Sequence, residues 1–253
     1  MGVLKGKTAL VTGGSRGIGR AAAQRLARDG ALVAVHYGRN EAAAKETVAA
    51  IEAEGGRAFA IGAELGVRGD AQALWAAYEA HPAHTERVDV LVNNAGAAAF
   101  AGIGETDEET FQRVQAVNAQ APFFVIKHGL ERLADGGRIV NVTGTPDIAL
   151  PAILATIMAK GAVNALTVSL AAALAPRGIT VNSVGPGITE TELNAAWLAD
   201  PAARAHAASR SVFNRVGTVE EVADVVAFLA SPDSRWVTGQ HLSATGGLQL
   251  ALL

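Results

Sequence analysis

Residues 7–20 of the chain read KTALVTGGSRGIGR, and this stretch decides the fold. Thr8 to Val11 form a short apolar run, glycines follow at 13, 14, 17 and 19, and apolar side chains then recur at helical spacing. A glycine turn between a strand and a helix suits a pyrophosphate, because backbone N–H groups can approach it at the positive end of the helix. Any sharp turn of this kind also uses glycine, so a turn without a ligand is the alternative. In this context the stretch predicts a dinucleotide site.

Composition limits the other possibilities. The chain has 253 residues, half of them hydrophobic, which suits one α/β domain over residues 1–253. The net charge is −3 without a block of basic residues, so we expect neither a nucleic acid nor a membrane as partner. Cysteine is absent, which excludes disulfides and thiolate chemistry. We see no signal-peptide segment and no apolar run near the roughly 18 residues that span a bilayer, and we therefore expect a cytoplasmic protein.

Apolar strands alternate with amphipathic helices along the whole chain. This order predicts a Rossmann-type, doubly wound parallel sheet of about seven strands, with helices on both faces and ligands at the strand carboxyl ends. Thr106 and Glu109 predict a capping box at a helix start, and Pro122 predicts a bend near Asn118. A long helix is expected from about 152 to 176. The expected strands are 8–11, 32–35, 57–61, 88–92, 138–142, 180–184 and 240–242.

The segment 186–215 stands apart because it has no clear strand and is interrupted by prolines at both 186 and 201. We expect an irregular or helical insertion there that covers a substrate. Its large apolar residues, Leu193, Trp197 and Phe213, suit either an apolar lid surface or packing of the lid itself.

The end of the second strand favours a phosphorylated cofactor. An acid about 20 residues after the glycines usually accepts a ribose hydroxyl, but here the sequence from 36 to 40 is HYGRN, with no acid. Arg39, together with Arg16 inside the glycine turn, could neutralise a 2′-phosphate. NADP(H) is therefore favoured over NAD(H), unless both arginines are simply solvated.

Several motifs resemble the short-chain dehydrogenase/reductase family in order and spacing, over about residues 5–250. They are TGGSRGIG at 12–19, NNAG at 93–96, Asn118 in a helix, GRIVNV at 137–142 and PGITET at 186–191. The resemblance implies a Rossmann-type fold that binds a nicotinamide dinucleotide, interconverts carbonyls and alcohols, and forms a homodimer or homotetramer.

The resemblance also implies which residues touch the cofactor. Glu64 would meet the adenine amine, Asn93 and Ala95 would line the cofactor, and Pro186 to Thr191 would clasp the nicotinamide end. The full set of implied cofactor residues is Gly13, Ser15, Arg16, Gly17, Ile18, Gly19, Arg39, Glu64, Leu65, Asn94, Ala95, Gly96, Lys160, Pro186, Gly187, Thr189 and Thr191.

Catalysis in this family rests on asparagine, serine, tyrosine and lysine, and the resemblance fills only two of the four positions. Asn118 and Lys160 are in place, but the serine position is Gly144 and the tyrosine position is Thr156. A shift of register cannot restore the set. The only tyrosines are at 37 and 78, and no serine lies between 15 and 169.

The absence of serine and tyrosine from these two positions affects proton transfer. A threonine hydroxyl is about as acidic as water and far less acidic than the phenol of tyrosine, whose pKa is about 10. Thr143 or Thr145 could supply the hydrogen bond that the serine makes in this family. Asp147 could donate a proton, or it could simply form a turn. Thr156 could position a water molecule or be an ordinary helix residue. The histidines at 128, 206 and 241 are isolated, so no metal site is expected.

From these residues we expect an NADP(H)-dependent oxidoreductase that acts on a small or medium apolar carbonyl or alcohol, with an atypical proton donor. Two alternatives stay open. One is a non-redox enzyme, a dehydratase or cyclase, on the same scaffold. The other is a catalytically silent NADP(H)-binding sensor or partner subunit.

Overall fold

The central feature of the computed structural model, which describes residues 2–145, 150–248 and 250, is a parallel sheet. Within those residues the sheet has seven strands in the order β3-β2-β1-β4-β5-β6-β7, which confirms the predicted Rossmann-type arrangement. The order reverses beside β1, where ligands of such sheets bind. The strands are β1 (Thr8–Val11), β2 (Leu32–Tyr37), β3 (Arg57–Gly62), β4 (Val88–Asn93), β5 (Leu133–Val142), β6 (Thr180–Pro186) and β7 (His241–Ala244).

Helices connect successive strands and cover both faces of the sheet. A short π-helical turn, Ala116–Gln120, lies at the bend expected near Asn118. Segment 186–215 contributes two short helices, as expected for a helical insertion. The α-helices of the described residues are α1 (Gly17–Arg28), α2 (Glu41–Ala53), α3 (Asp70–Ala80), α4 (Glu108–Gln115), α5 (Ala121–Gly129), α6 (Leu154–Leu174), α7 (Ala195–Leu198), α8 (Pro201–Ser209) and α9 (Val219–Ala230).

Two apolar layers result from the alternation of side chains along each strand. In β1, Ala9 and Val11 point into the layer formed with α1 and α9, where Leu26 and Val226 are fully buried. Leu10 points the other way, into the layer formed with α3, α5 and α6. The sheet is thus buried on both faces, as all-parallel sheets are.

One predicted helix start is wrong. Helix α4 begins one residue later than the Thr106 capping box implies, because Asp107 is its N-cap and accepts a hydrogen bond from the Thr110 N–H at 2.7 Å. The Thr106 hydroxyl instead donates to the Gly102 carbonyl at 2.9 Å. Aspartate and threonine are both good caps, and the fold of the preceding loop decides between them.

The expectation about apolar runs also needs correction. Residues Leu154–Arg177, with a mean hydropathy of 1.5, are long and apolar enough to cross a membrane by length and composition. In the fold, α6 packs on the sheet, and its Ala171 and Leu174 join the buried layer with Ile139 and Val181. The core helix of a folded domain passes the same composition test, so this segment is weak evidence for a membrane span.

Candidate dinucleotide and catalytic site

The glycine turn needs its glycines for steric reasons. Gly13 and Gly17 have φ values of +63° and +53°, a region that favours glycine. Gly19 has no room for a side chain, since a Cβ there would lie 2.2 Å from the Gly13 carbonyl oxygen and 2.4 Å from Asn94 Nδ2. The turn is therefore a tightly packed backbone structure in which only glycine fits at these positions.

Residues after β4 hold this turn from one side. The Thr12 hydroxyl accepts the N–H groups of Asn94 and Ala95 at 2.9 and 3.1 Å. In return, Asn94 Nδ2 donates to the carbonyls of Thr12 and Gly13 at 3.0 and 3.1 Å. Asn94 thus binds the turn itself with its side chain. Asn93 lies inside the sheet, where its amide donates to Asn141 Oδ1 at 2.9 Å.

The N-terminus of α1 has the properties of an anion site. Its N-cap, Arg16, makes no side-chain capping bond, and its first turn contains no acid. Ser15 is buried, and its carbonyl accepts Arg20 Nη2 at 2.8 Å, which fixes the loop just before the helix. The positive end of a helix favours a negatively charged group such as a pyrophosphate, and Glu192 Oε2 also approaches it, 3.4 Å from where a Cβ on Gly17 would lie. The turn and the helix start therefore fit a dinucleotide.

Two exposed arginines, Arg16 and Arg39, lie in the loops after β1 and β2. Arg39 follows β2 and forms an ion pair with Glu64, with Nε 3.1 Å from the carboxylate. The Arg39 side chain remains 85 % exposed, and Arg16 is also exposed, so both are accessible to a phosphate. Leu65, next to Glu64, is half-buried against the core. The structure therefore brings the predicted Arg39 and Glu64 into direct contact.

Lys160 and Asn118 converge beside Gly96 at the neighbouring strand ends. Lys160 Nζ donates to the Val142 carbonyl at 2.8 Å, and burial lowers the pKa of Lys160 to about 8. Asn118 is 2 % exposed and donates to the Ala97 carbonyl at 2.7 Å, while its buried Oδ1 has no hydrogen-bond partner among the described residues. A Cβ on Gly96 would lie 2.8 Å from that Oδ1 and 3.6 Å from Lys160 Nζ. Glycine at 96 keeps this space open.

The loop after β5 places the other candidates differently. Thr143 donates weakly to the Val184 carbonyl at 3.4 Å, whereas the buried Thr145 hydroxyl has no partner in the part of the chain that the structure describes. A Cβ on Gly144 would lie 3.5 Å from Ile157 Cδ1, an ordinary contact. Thr156 accepts the Ala99 N–H at 3.3 Å and is 9 % exposed. Asp147 lies outside the described residues.

The segment after β6 reaches the glycine turn. A Cβ on Gly17 would lie 3.6 Å from Thr191 Cγ2, so Thr191 borders the α1 N-terminus. Thr189 is buried and donates to the Gly187 carbonyl at 3.0 Å, and a Cβ on Gly187 would lie 2.8 Å from Thr245 Cα. Residues 187–191 therefore form a packed strap next to the turn. Ile18, one residue into α1, packs against the core.

Sequence reasoning missed His36. It is 2 % exposed, near the end of β2, and its ring contacts both the glycine turn and the loop after β3. The signal was a titratable residue within the apolar strand LVAVHY. In the described part of the chain, no group of three or more His, Cys, Asp or Glu residues could hold a metal.

A sequence profile described as enoyl-(acyl carrier protein) reductase matches residues 13–249. The chain belongs to the short-chain dehydrogenase/reductase family, and its class is that of an SDR-type oxidoreductase. It is 41 % identical to an uncharacterised oxidoreductase of Methylorubrum extorquens, over 98 % of this chain and 100 % of that one. It is 35 % identical to the hydroxynaphthalene reductase of Aspergillus fumigatus, over 95 % of this chain and 91 % of that one.

Two solved structures share nearly the whole fold. The angucycline C-6 ketoreductase LanV, with bound NADP, has a TM-score of 0.93 at 45 % identity, covering 98 % of each chain. The reductase LugOII, which carries out keto-reduction at C1 in lugdunomycin biosynthesis, has a TM-score of 0.93 at 49 % identity, covering 98 % of this chain and 99 % of that one. These close structural neighbours are thus SDR ketoreductases, and LanV holds NADP.

Proposed function

We propose that the protein is an NADP(H)-dependent reductase that acts on the carbonyl of an apolar, fused-ring aromatic compound through an atypical proton-donor site. The observation that carries this proposal is the set of Lys160, Asn118 and Gly96 beside a complete dinucleotide turn. LanV and LugOII, the ketoreductases that share 45 % and 49 % of its sequence, support the substrate class. Within the broader class of small or medium apolar carbonyls, fused aromatic rings are the choice that these relatives favour.

The cofactor proposal rests on charge and on space. The uncapped N-terminus of α1 and the residues Ser15 to Gly19 would hold the pyrophosphate, and Arg39 with Arg16 would hold the 2′-phosphate. Glu64 would contact adenine, while Ala95, Gly96 and the strap 187–191 would border the nicotinamide half. NADPH supplies a hydride when it is bound.

The proton has to come from a group other than tyrosine. We propose that Gly144 and Thr156 occupy the family's serine and tyrosine positions, so that the space of a phenol ring is free for water. Lys160, whose pKa is about 8, holds a proton that such a water can relay to the developing alkoxide near neutral pH. Asn118 Oδ1 is free to accept a hydrogen bond from the same water.

Hydrogen bonding to the substrate oxygen is proposed for Thr145 rather than Thr143. The Thr145 hydroxyl is buried and has no partner among residues 2–145, 150–248 and 250, whereas the Thr143 hydroxyl lies 3.4 Å from the Val184 carbonyl. An unsatisfied buried hydroxyl costs free energy, and a substrate carbonyl would relieve that cost. Thr156 is engaged with the Ala99 N–H, which supports a structural role for it.

Exposed apolar side chains support an apolar substrate. Phe100 and Ile103 follow β4 and are 61 % and 86 % exposed, and Leu193 and Phe213 follow β6 and are 58 % and 68 % exposed. Both segments leave the carboxyl edge of the sheet, where ligands bind. We therefore propose that 186–215 is a substrate lid within a single domain, residues 1–253.

A homodimer or homotetramer in the cytoplasm is also proposed. Helices α5 and α6 carry four apolar side chains that are between 39 % and 62 % exposed, namely Phe123, Phe124, Met158 and Val168. Such apolar side chains on adjacent helices are typical of an interface between subunits.

The decisive experiment is single-turnover stopped-flow with purified protein and NADPH. A panel of tetralones, hydroxynaphthalene-derived ketones and angucycline-type quinones serves as substrate, and NADH is the control cofactor. We expect NADPH oxidation with the fused-ring ketones and weaker or no oxidation with NADH. Absence of hydride transfer across the panel would overturn the oxidoreductase proposal.

The same experiment separates the alternatives. A changed product without NADPH oxidation would indicate a dehydratase or cyclase. Tight NADPH binding without any turnover would indicate a sensor or partner subunit, and co-purification with an active paralogue would support the latter.

A further inference from the structure

We propose that His36 is a positioning residue of the cofactor site, which ties the glycine turn after β1 to the adenine-side loop after β3. This inference rests on the proposed NADP(H) site. It concerns a residue to which the proposed function assigns no role in the reaction. Its role is to fix the two loops between which an adenosine diphosphate would lie.

The contacts of the imidazole reach both loops. Nδ1 lies 3.1 Å from the Gly13 nitrogen, and Nε2 lies 2.9 Å from the Ala63 carbonyl oxygen. Gly13 opens the glycine turn, and Ala63 directly precedes Glu64. Since β1, β2 and β3 are neighbours in the sheet, one ring on the central strand connects the ends of all three.

The partners determine the state of the ring. A carbonyl oxygen only accepts, so Nε2 must carry the proton that goes to Ala63. The Gly13 N–H only donates, so Nδ1 must be unprotonated. The ring is therefore the neutral Nε2–H tautomer, and burial agrees with this by lowering the pKa of His36 to about 4. Protonation would set two N–H groups against each other at Gly13.

The backbone of His36 acts on the turn as well. Its carbonyl accepts the Gly14 N–H at 2.8 Å. The first two N–H groups of the turn are thus both taken by His36, while Asn94 binds the Gly13 carbonyl from the opposite side. Because these peptides are fixed, the turn leads into the α1 N-terminus with its remaining N–H groups directed by a rigid backbone.

A buried histidine that merely satisfies its own polar atoms is the ordinary explanation for such a residue. His36 differs because both of its partners are backbone groups in segments that carry cofactor residues, and neither partner belongs to the regular hydrogen bonding of the sheet. Loss of the imidazole would leave the Gly13 N–H, inside the glycine turn, without its acceptor.

The test compares NADPH binding to His36→Leu and His36→Asn by quenching of NADPH fluorescence, with thermal unfolding as the second readout. We expect a Kd at least about tenfold higher for His36→Leu, since the partly buried Gly13 N–H is left unpaired. His36→Asn should stay within about threefold of wild type, because its Oδ1 can accept the Gly13 N–H. Exposed His84→Leu is the matched control and should leave Kd unchanged.

Further readouts separate positioning from general stability. Under saturating NADPH, kcat of His36→Leu should stay within about twofold while KM for NADPH rises. A lower Tm in both variants with an unchanged Kd would overturn the inference. If His36→Leu does not fold, His36→Val replaces it. A Kd for NADPH that rises more than about tenfold in His36→Asn would also contradict the proposed bond.

Two results for the wild type distinguish this inference from the proposed function. If the wild type does not bind NADPH, the cofactor proposal is overturned as well. If it binds NADPH, but no better than His36→Leu does, only this inference is overturned.

Discussion

The two halves of the strand-end surface differ in how their polar groups are used. Around the glycine turn, His36 and Asn94 bind the N–H and the carbonyl of Gly13, and the Thr12 hydroxyl accepts the N–H groups of Asn94 and Ala95. Beside β4 and β5, by contrast, Asn118 Oδ1 and the Thr145 hydroxyl are buried and have no hydrogen-bond partner among the described residues, and Lys160 Nζ donates to the Val142 carbonyl.

This difference shows which part of the site is complete before a ligand binds. The glycine turn is held by direct hydrogen bonds, although the α1 N-terminus that follows it has no side-chain cap. The catalytic half retains unpaired hydrogen-bonding groups, which is energetically costly in a folded protein and is typical of sites where a ligand or water completes the arrangement. We therefore expect substitutions in the two halves to act differently on cofactor binding and on turnover.

The largest effect is expected for Lys160→Met, which should lower kcat by roughly 10²- to 10⁴-fold, because it removes the proposed proton source. In wild type, the reduction rate should fall as pH rises through about 8, where Lys160 loses its proton. Steady-state kinetics from pH 6 to 10 checks both expectations. Lys45→Met, on the exposed face of α2, is the control. Full activity of Lys160→Met would exclude the lysine as a proton source.

Low pH should reduce the free energy of unfolding through the protonation of His36, which lies in the nucleotide half. Its folded pKa, about 4, lies below the unfolded value of 6.5, so the unfolded state binds more protons between these values. The contribution of His36 to the free energy of unfolding is fully present above pH 6.5. It is lost as the pH falls towards 4, which lowers the free energy of unfolding by about 3 kcal/mol. Denaturant unfolding at pH 4.5 and 7 measures it. His36→Asn should show a smaller difference between the two pH values, and an equal difference would argue against this origin.

The catalytic half should respond to restoration of the family's residues. A Gly144→Ser, Thr156→Tyr double variant is expected to reduce carbonyls at least about tenfold faster, since it returns a phenol and a hydroxyl donor. The contact of 3.5 Å that a Cβ at 144 would make with Ile157 leaves room for serine. NADPH-dependent turnover of the ketone panel measures the gain. No gain, with NADPH binding intact, would mean that the substrate pocket itself differs from the family's.

The smallest kinetic effect is expected for Thr156→Val. It leaves the buried Ala99 N–H without an acceptor, which should lower the free energy of unfolding by about 1–2 kcal/mol. We expect kcat to change by less than about threefold, because the hydroxyl is proposed to be structural. Chemical denaturation and steady-state kinetics on the same preparation separate the two quantities. A hundredfold loss in kcat would instead place the Thr156 hydroxyl in the reaction.

The sequence by itself determined the fold. Strands of four to ten residues alternate with amphipathic helices, and this local periodicity allows few arrangements other than a parallel sheet covered on both faces. The glycines at 13, 17 and 19 predicted the turn, because the backbone conformation of such a turn itself requires glycine. The predicted contact between Arg39 and the adenosine end also follows from its position directly after β2.

Only the tertiary structure decided how the polar groups are paired. The choice between Asp107 and Thr106 as a cap depended on the fold of the preceding loop, and Thr156 finds its partner, the Ala99 N–H, in a segment distant in sequence. His36 is the clearest case. Its ring meets Gly13, 23 positions earlier, and Ala63, 27 positions later, and such contacts exist only after three strands have come together. A hydrogen bond depends on distance and direction in space, which local sequence patterns do not contain.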